Sequence, residues 1–307
     1  MDVSTYSLNR AFQKIVVATD FSDYSTVAML RAANLALEAR AEIILVHVLD
    51  PLRYSAAMEG VPFVLHEMER EARAQLESSA LALRDCNIKN TLIVREGVVR
   101  DCLYQVVHEQ KADLLVLSTH GQHRFDRQVA GSLAEKILRV MPCPVMTVGP
   151  AAWLTRDASS ASKRLLFPTD LSEVSLRALP YADALARHMG AHLILLYVTS
   201  GPRTHGQMHQ LETVAKTHLH LAPVVDCIVE TGELAEVIAS TARKVNPDFV
   251  LLGIHHEDLT RTPAGGLHVG LVYQIVSRMA APVLTIHDRV DVDRLRATSI
   301  LDRVVLQ

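Results

Sequence analysis

Aromatic side chains are scarce in this chain of 307 residues, because they make up 5% of it and include a single tryptophan. A core with so few rings must be built from alanine, valine, leucine and isoleucine, and the hydrophobic fraction of 49% is large enough for that. Cysteine is also scarce. The four cysteines are scattered without a C-x-x-C pair. This pattern excludes a disulfide framework and a zinc knuckle, and it favours a reducing compartment.

Positive charge is not in excess, and long apolar runs are missing. The formal net charge is −3, so we expect no general basic field that would attract nucleic acid or an anionic membrane. No apolar run reaches membrane-spanning length, and the first ten residues lack the apolar core of a signal peptide. We therefore expect a soluble, cytoplasmic protein with neither nucleic acid nor a membrane as its partner.

Two common nucleotide-binding motifs are absent. The sequence contains no G-x-x-x-x-G-K-[ST] loop, and no G-x-G-x-x-G follows its first apolar strand. That strand, at 14–18, runs into T-D-F-S at 19–22 instead. If the protein holds a phosphate group, it must therefore do so at another strand.

The chain contains one sequence unit that occurs twice. I-V-V-A-T-D-F-S at 15–22 returns as L-L-F-P-T-D-L-S at 165–172, and A-E-I-I-L-V-H-V at 41–48 returns as A-H-L-I-L-L-Y-V at 191–198. Three further blocks repeat in the same order, with length changes confined to loops. A repeat of this kind indicates a duplicated domain.

Each copy alternates short apolar strands with segments of helical periodicity, which predicts an α/β fold with a doubly wound parallel sheet. In the first copy the predicted strands lie at 14–18, 43–49, 91–94, 114–117 and 145–148, and the predicted helices at 24–40, 62–85, 98–110 and from Gly131 onward. We predict two tandem Rossmann-like domains at 1–149 and 163–287. A linker at 150–162 joins them, and a tail at 288–307 is either a short docking helix or loose.

The stretch from Asp113 to Ser132 is the candidate phosphate site. It passes from a strand through a loop with Gly121 to a helix start at Gly131-Ser132. A helix N-terminus has unpaired backbone N–H groups and the positive end of the helix dipole, and both favour the binding of phosphate. By itself the pattern is more typical of an ordinary strand-to-helix connection, because turns that contain glycine are common. Ligands of doubly wound sheets bind beyond the carboxyl ends of the strands, however, and Asp20, Val48 and Ser118 end three of them.

Four motifs resemble the universal stress protein family: T-D-F-S after the first strand, H-V after the second, H-G-x9-G-S, and C-P-V at the last strand. The duplication resembles the family's tandem type. The resemblance implies an open five-stranded parallel sheet in each copy, with helices on both faces. It also implies ATP as the ligand, with Mg²⁺ as an accompanying ion. In the family's ATP-binding branch the loop reads G-x-x-G-x9-G-[ST], and Ser118 replaces the first glycine here.

The resemblance implies a set of nucleotide-binding residues in the first copy. Asp20 and its neighbours would line the adenosine pocket, Val48 would contact the base, and the glycine loop with the following helix start would surround the phosphates. Helix capping is the alternative role for Asp20, and core packing is the alternative for Val48. The complete set is Ala18, Thr19, Asp20, Val48, Leu117, Ser118, His120, Gly121, Gly131, Ser132, Leu133 and Ala134.

The second copy lacks the same loop chemistry. Gly253 keeps the first glycine, but His256 replaces the second, and Val269 and Gly270 oppose Gly131 and Ser132. We expect this copy to bind nucleotide weakly or not at all. It would instead pack against the first copy as a pseudo-dimer, with the edge strands around Val145 and Val283 meeting across a pseudo-two-fold axis. A homodimer through another face stays open.

No residue set places a general base beside a nucleophile, and the 15 histidines show no metal-ligand spacing. We therefore predict no catalytic residue and no metal site. The leading hypothesis is a stress-response protein that senses adenine nucleotide, acts on an unidentified protein partner and hydrolyses ATP slowly at most. Two alternatives stay open: an interaction module that binds no nucleotide, and a slow ATPase.

Overall fold

A computed structural model of the chain describes residues 12–51, 61–119, 130–154, 163–220, 222–254 and 269–287. Strands and helices alternate along these residues, as the sequence predicts. The first repeat contains β1 (Lys14–Ala18), α1 (Asp23–Ala39), β2 (Glu42–Leu49), α2 (Val61–Asp85), β3 (Asn90–Glu96), α3 (Val99–Gln110), β4 (Leu114–Ser118), α4 (Ala130–Val140) and β5 (Val145–Val148). The second contains β6 (Arg164–Thr169), α5 (Glu173–Met189), β7 (His192–Thr199), α6 (His205–His218), β8 (Val224–Thr231), α7 (Leu234–Val245), β9 (Phe249–Ile254), α8 (Val269–Arg278) and β10 (Val283–His287).

The ten strands form one sheet with the order β3-β2-β1-β4-β5-β10-β9-β6-β7-β8. Pairing within each repeat is parallel, and the repeats join through the antiparallel pair β5 and β10. In this pair Val283 lies opposite Thr147, and Thr285 lies opposite Val145. The Thr147 hydroxyl donates to the Val283 carbonyl at 3.2 Å. The predicted meeting of these two edge strands is therefore confirmed.

Helices cover both faces of the sheet. Residues of α1, α2, α5 and α6 pack with one face of the strands in a single apolar cluster. Residues of α3, α4, α7 and α8 pack with the other face in a second cluster. Each cluster contains residues from both repeats, so the two repeats share a continuous core on each face. Alanine, valine, leucine and isoleucine make up most of that core, as the scarcity of aromatic residues predicts.

The seam between the repeats is closely packed where β5 ends. Gly149 lies against α8, so that a Cβ atom built on it would be 2.3 Å from the carbonyl oxygen of Val276. Residues Pro150–Leu154, at the start of the predicted linker, form a 3-10 helix. The Ala152 carbonyl in this helix accepts a hydrogen bond from the Arg31 guanidinium of α1 at 3.1 Å. Only glycine fits the close approach, and the short helix follows directly from it.

The aspartates that precede β4 and β9 hold the start of the first strand in each repeat. The Asp113 carboxylate accepts from the backbone N–H groups of Gln13 and Lys14, both at 2.9 Å. Asp248 accepts from the Arg164 N–H at 2.8 Å. This repeated aspartate therefore serves the scaffold in both repeats.

Candidate functional site

In the turn after β1, three side chains accept hydrogen bonds from backbone N–H groups of the same turn and of the helix that follows it. Ser22 is the N-cap of α1 and accepts from the Ser25 N–H at 3.1 Å. The Asp20 carboxylate accepts from the Ser22 N–H at 3.1 Å and from the Ser22 hydroxyl at 2.6 Å. The Thr19 hydroxyl oxygen accepts from the Phe21 N–H at 3.0 Å. The N-cap of α1 is thus Ser22, and Asp20, two residues earlier, stabilises it by accepting hydrogen bonds from its backbone and its hydroxyl.

This turn requires a left-handed backbone at a residue that is not glycine. Phe21 has a φ of 63°, and its counterpart Leu171 has a φ of 61°. The second repeat also reproduces the hydrogen bonds, since Asp170 accepts from the Ser172 N–H at 2.9 Å and Thr169 accepts from the Leu171 N–H at 3.0 Å. The T-D-x-S sequence therefore forms the same turn in both repeats.

The end of β2 places two neighbouring side chains on opposite faces of the sheet. The ring nitrogen Nδ1 of His47 lies 2.8 Å from the Thr19 carbonyl oxygen, and the imidazole stacks on the Phe21 ring with centroids 4.4 Å apart. Val48 is half-buried and packs with the cluster of the opposite face. Burial lowers the pKa of His47 below its ordinary value, although the bond to Thr19 and the Asp20 carboxylate act to raise the pKa. Sequence reasoning did not select His47, although the H-V motif contains it.

The end of β4 lies beside β1, on the same rim of the sheet. Leu117 is buried within the core, and Ser118 is half-buried and pairs in register with Val148. The next residue, Thr119, is buried, and its N–H donates to the Val148 carbonyl at 3.2 Å. His120 and Gly121, which the sequence selects for the phosphates, lie outside the described residues.

Helix α4 contributes the remaining candidate residues. Gly131 and Ser132 lie in the first turn of α4 as the structure describes it, from Ala130 onward. Leu133 is half-buried and Ala134 is buried, and both pack on the face of the sheet that α3 covers. Ala18 and Val48 pack with the same cluster. The structure thus brings Ala18, Val48, Leu133 and Ala134 to one face of the rim.

At β1 and β4 the fold has the topology that forms a ligand crevice in doubly wound sheets. These strands are adjacent and parallel, with Val17 opposite Val116. The chain leaves β1 toward α1 on one face of the sheet, whereas it leaves β4 toward α4 on the other face. Strand order reverses at this point, which is where doubly wound sheets bind their ligands. The candidate residues that the structure describes therefore flank the position that the fold class predicts.

Comparison with known proteins assigns the family. A model of the universal stress protein family matches residues 11–149 and again residues 161–287. The chain belongs to the universal stress protein family. The two matches are consistent with the tandem arrangement of the sequence repeat.

Individual universal stress proteins match one repeat each. One from Methanocaldococcus jannaschii is 31% identical over 142 residues, which are 45% of this chain and 82% of that protein. Universal stress protein A homolog 1 of Coxiella burnetii is 29% identical over 142 residues, which are 45% of this chain and 96% of that protein. The crystal structure of a universal stress protein from Archaeoglobus fulgidus superimposes with a TM-score of 0.69 at 17% identity, and covers 92% of this chain and 98% of that one. This last likeness establishes the tandem fold.

The second universal stress protein repeat differs from the first at the positions that we predict to bind phosphate. Gly253 stands in β9 where Ser118 stands in β4, and Val269 and Gly270 open α8 where Gly131 and Ser132 lie in α4. A Cβ atom on Gly253 would be 2.8 Å from the Cβ of Ala178 in α5. The glycine at this register therefore allows a helix to pack closely on the sheet.

Titratable groups give no sign of a metal centre in the described ranges, where no three histidine, cysteine, aspartate or glutamate side chains converge on a common point. Among the helices that the structure describes, none combines the length and apolarity needed to span a membrane.

At the N-terminus of α7, Glu233 accepts from the N–H groups of Ala235 and Glu236, and these bonds lower the pKa of its carboxyl group. Its counterpart in the first repeat is Val98, which caps α3 with backbone alone.

Proposed function

We propose that the first repeat binds ATP in the crevice between β1 and β4, and that this universal stress protein is a cytoplasmic, nucleotide-dependent sensor or regulator. The observation that carries the proposal is the contrast between the repeats. Both repeats form the same rim turn after their first strand, but only the first opens its fourth helix with Gly131 and Ser132. A requirement of the fold would apply to both repeats, so a ligand is the simplest reason for the difference.

The apolar wall of the crevice suits an adenine base. Ala18, Val48 and Leu133 are half-buried and belong to one cluster on the α3 and α4 side of the rim. A flat apolar base that covers them removes the exposed part of these side chains from water. In this arrangement the Asp20 carboxylate accepts a hydrogen bond from a ribose hydroxyl or from the adenine amine.

The start of α4 suits the phosphates. The first turn of a helix has N–H groups without intrahelical partners, and the helix dipole favours negative charge there. Gly131 lets the phosphates approach the backbone closely, whereas the second repeat has a valine, Val269, at the corresponding sequence position. Mg²⁺, where present, would bind mainly to the phosphates. The second repeat serves as the packing partner of the first.

Calorimetric titration with ATP tests this assignment with a matched pair of variants. Gly131→Val should weaken ATP binding by about a hundredfold or more, because it removes at least two charge-assisted hydrogen bonds worth about 1.5 kcal/mol each. Gly270→Val introduces the same side chain in the first turn of α8 and should leave the affinity unchanged. If Gly270→Val is the damaging substitution, the roles of the two repeats are reversed.

Two further observations separate the alternative functions. Adenine nucleotide released from the denatured, freshly purified protein would support the proposal. If none is released and no heat of binding is measured at millimolar ATP, the nucleotide proposal fails, and an interaction module without a nucleotide takes its place. Fast ATP turnover that is lost in Asp20→Asn would make the protein an enzyme rather than a sensor.

A further inference from the structure

The His47 imidazole holds both residues that flank Asp20. On one side, Nδ1 lies 2.8 Å from the Thr19 carbonyl oxygen. On the other side, the ring stacks on Phe21 at an interplanar angle of 27°. Because a carbonyl oxygen only accepts hydrogen bonds, Nδ1 must carry the proton in this contact. Asp20 is therefore held between two residues that the same side chain fixes.

We call these two contacts of His47, with the Thr19 carbonyl and with the Phe21 ring, the clamp. The second repeat shows that the turn forms without it. Tyr197 occupies the position equivalent to His47, and it is half-buried like His47. The turn at Asp170 nevertheless has the same left-handed residue and the same hydrogen bonds to Ser172 and Thr169. The clamp is thus an additional constraint, and the described structure places it in the repeat that carries Gly131 and Ser132.

We propose that His47 is a positioning residue for the nucleotide site of the first repeat, because it fixes the Thr19 carbonyl and the Phe21 ring and so orients Asp20 toward the crevice. This inference rests on the proposed function. A turn that is fixed before the ligand arrives loses less conformational freedom on binding. The benefit therefore appears as nucleotide affinity rather than as formation of the turn.

Three substitutions in the full chain separate positioning from a structural role. His47→Tyr installs the residue of the second repeat and should weaken ATP binding roughly fivefold, which corresponds to the net value of one hydrogen bond. His47→Asn keeps an N–H donor on the γ carbon, where Nδ1 is attached, and should restore most of the affinity. Tyr197→His makes the reverse change in the second repeat and should leave the affinity unchanged. Each variant is assayed by titration with ATP, alongside its melting temperature.

Each result decides the inference. Loss of affinity in His47→Tyr with recovery in His47→Asn supports it. A His47→Tyr protein that melts earlier but binds ATP like the wild type overturns it, because the histidine would then only stabilise the fold. Equal losses in both His47 variants overturn the hydrogen-bond clamp. If the wild type binds no ATP, the proposed function fails and the inference fails with it, whereas failure of the inference alone leaves wild-type binding intact.

Nitrogen NMR of the wild type gives a second measurement that does not depend on the variants folding. At neutral pH the lowered pKa keeps His47 uncharged, so one ring nitrogen carries the proton and the other does not. The clamp requires the proton on Nδ1. A signal from the Nδ1-protonated tautomer supports the clamp, and a signal from the Nε2-protonated tautomer contradicts it.

Discussion

Gly149→Ala places one methyl group in the most crowded point of the seam between the repeats. The added Cβ atom would be 2.3 Å from the Val276 carbonyl oxygen and 3.3 Å from the Met279 carbonyl oxygen. Both are backbone oxygens: Val276 lies in the last turn of α8, and Met279 follows the helix directly. Rotation of a side chain therefore cannot remove the clash. Real Cβ atoms essentially never come closer than 3.0 Å to such neighbours. The seam must therefore open by several tenths of an ångström.

The expected cost follows from this geometry. Overpacking a core by one methyl group costs about 1 to 3 kcal/mol, and a clash with backbone lies at the upper end of that range. Alanine also reduces the conformational freedom of the unfolded chain, and this offsets about 0.4 to 1 kcal/mol of the overpacking cost. The net loss in the free energy of unfolding is then about 2 kcal/mol, which lowers the melting temperature by about 3 °C in a chain of this size.

Urea denaturation followed by circular dichroism measures the loss, with Gly201→Ala as the control. A Cβ atom on Gly201 meets no atom within 4 Å, so the same chemical change should leave stability almost unaffected there. If the seam loosens enough to uncouple the repeats, the transition also becomes broader and its dependence on urea becomes shallower. Equal stability of the two variants would refute the close approach of β5 to α8 on which the reasoning depends.

Two further predictions concern packing and thiol chemistry. Gly253→Ser installs the residue of the first repeat and should lower the free energy of unfolding by about 1 to 3 kcal/mol, because its Cβ would meet Ala178 at 2.8 Å; urea denaturation that shows no loss would contradict this contact. Burial raises the pKa of Cys143 to about 12, so this thiol should resist Ellman's reagent below that pH until the protein unfolds, whereas exposed Cys86 should react in the native protein. Mass spectrometry of the labelled peptides identifies the modified cysteine, and native labelling of Cys143 would contradict its burial.

Most of the fold could be predicted because its determinants are local or repeated. The predicted strand at 145–148 is observed without change, and the predicted helix at 24–40 is observed at Asp23–Ala39. The seam was predictable because the last strand of each repeat lies at an edge of that repeat's sheet, where its unpaired backbone groups can pair with another edge strand. The composition of Pro150–Leu154 is typical of a linker and does not indicate the 3-10 helix, whose packing depends on the hydrogen bond from Arg31.

The candidate site was less predictable than the fold. The sequence identifies the strand ends, and their order places Asp20, Val48 and Ser118 on one rim. It does not reveal that His47 bonds to the Thr19 carbonyl, because this contact joins residues 28 positions apart. A histidine on a strand is consistent with many environments. The signal that could have found it is the contrast with Tyr197 at the same place in the second repeat.

Ser118 replaces the first glycine of the ATP-binding pattern, which is an objection to a working site. The second repeat weakens that objection. There the glycine at this register, Gly253, is crowded by Ala178 and Ser175 of α5, so its lack of a side chain serves helix packing. The first repeat accommodates a serine at the same register, where it is half-buried at the end of β4. A serine that satisfies the packing requirement by itself gives no reason to expect a decayed phosphate site, and we therefore expect Gly131 and Ser132 to decide whether nucleotide binds.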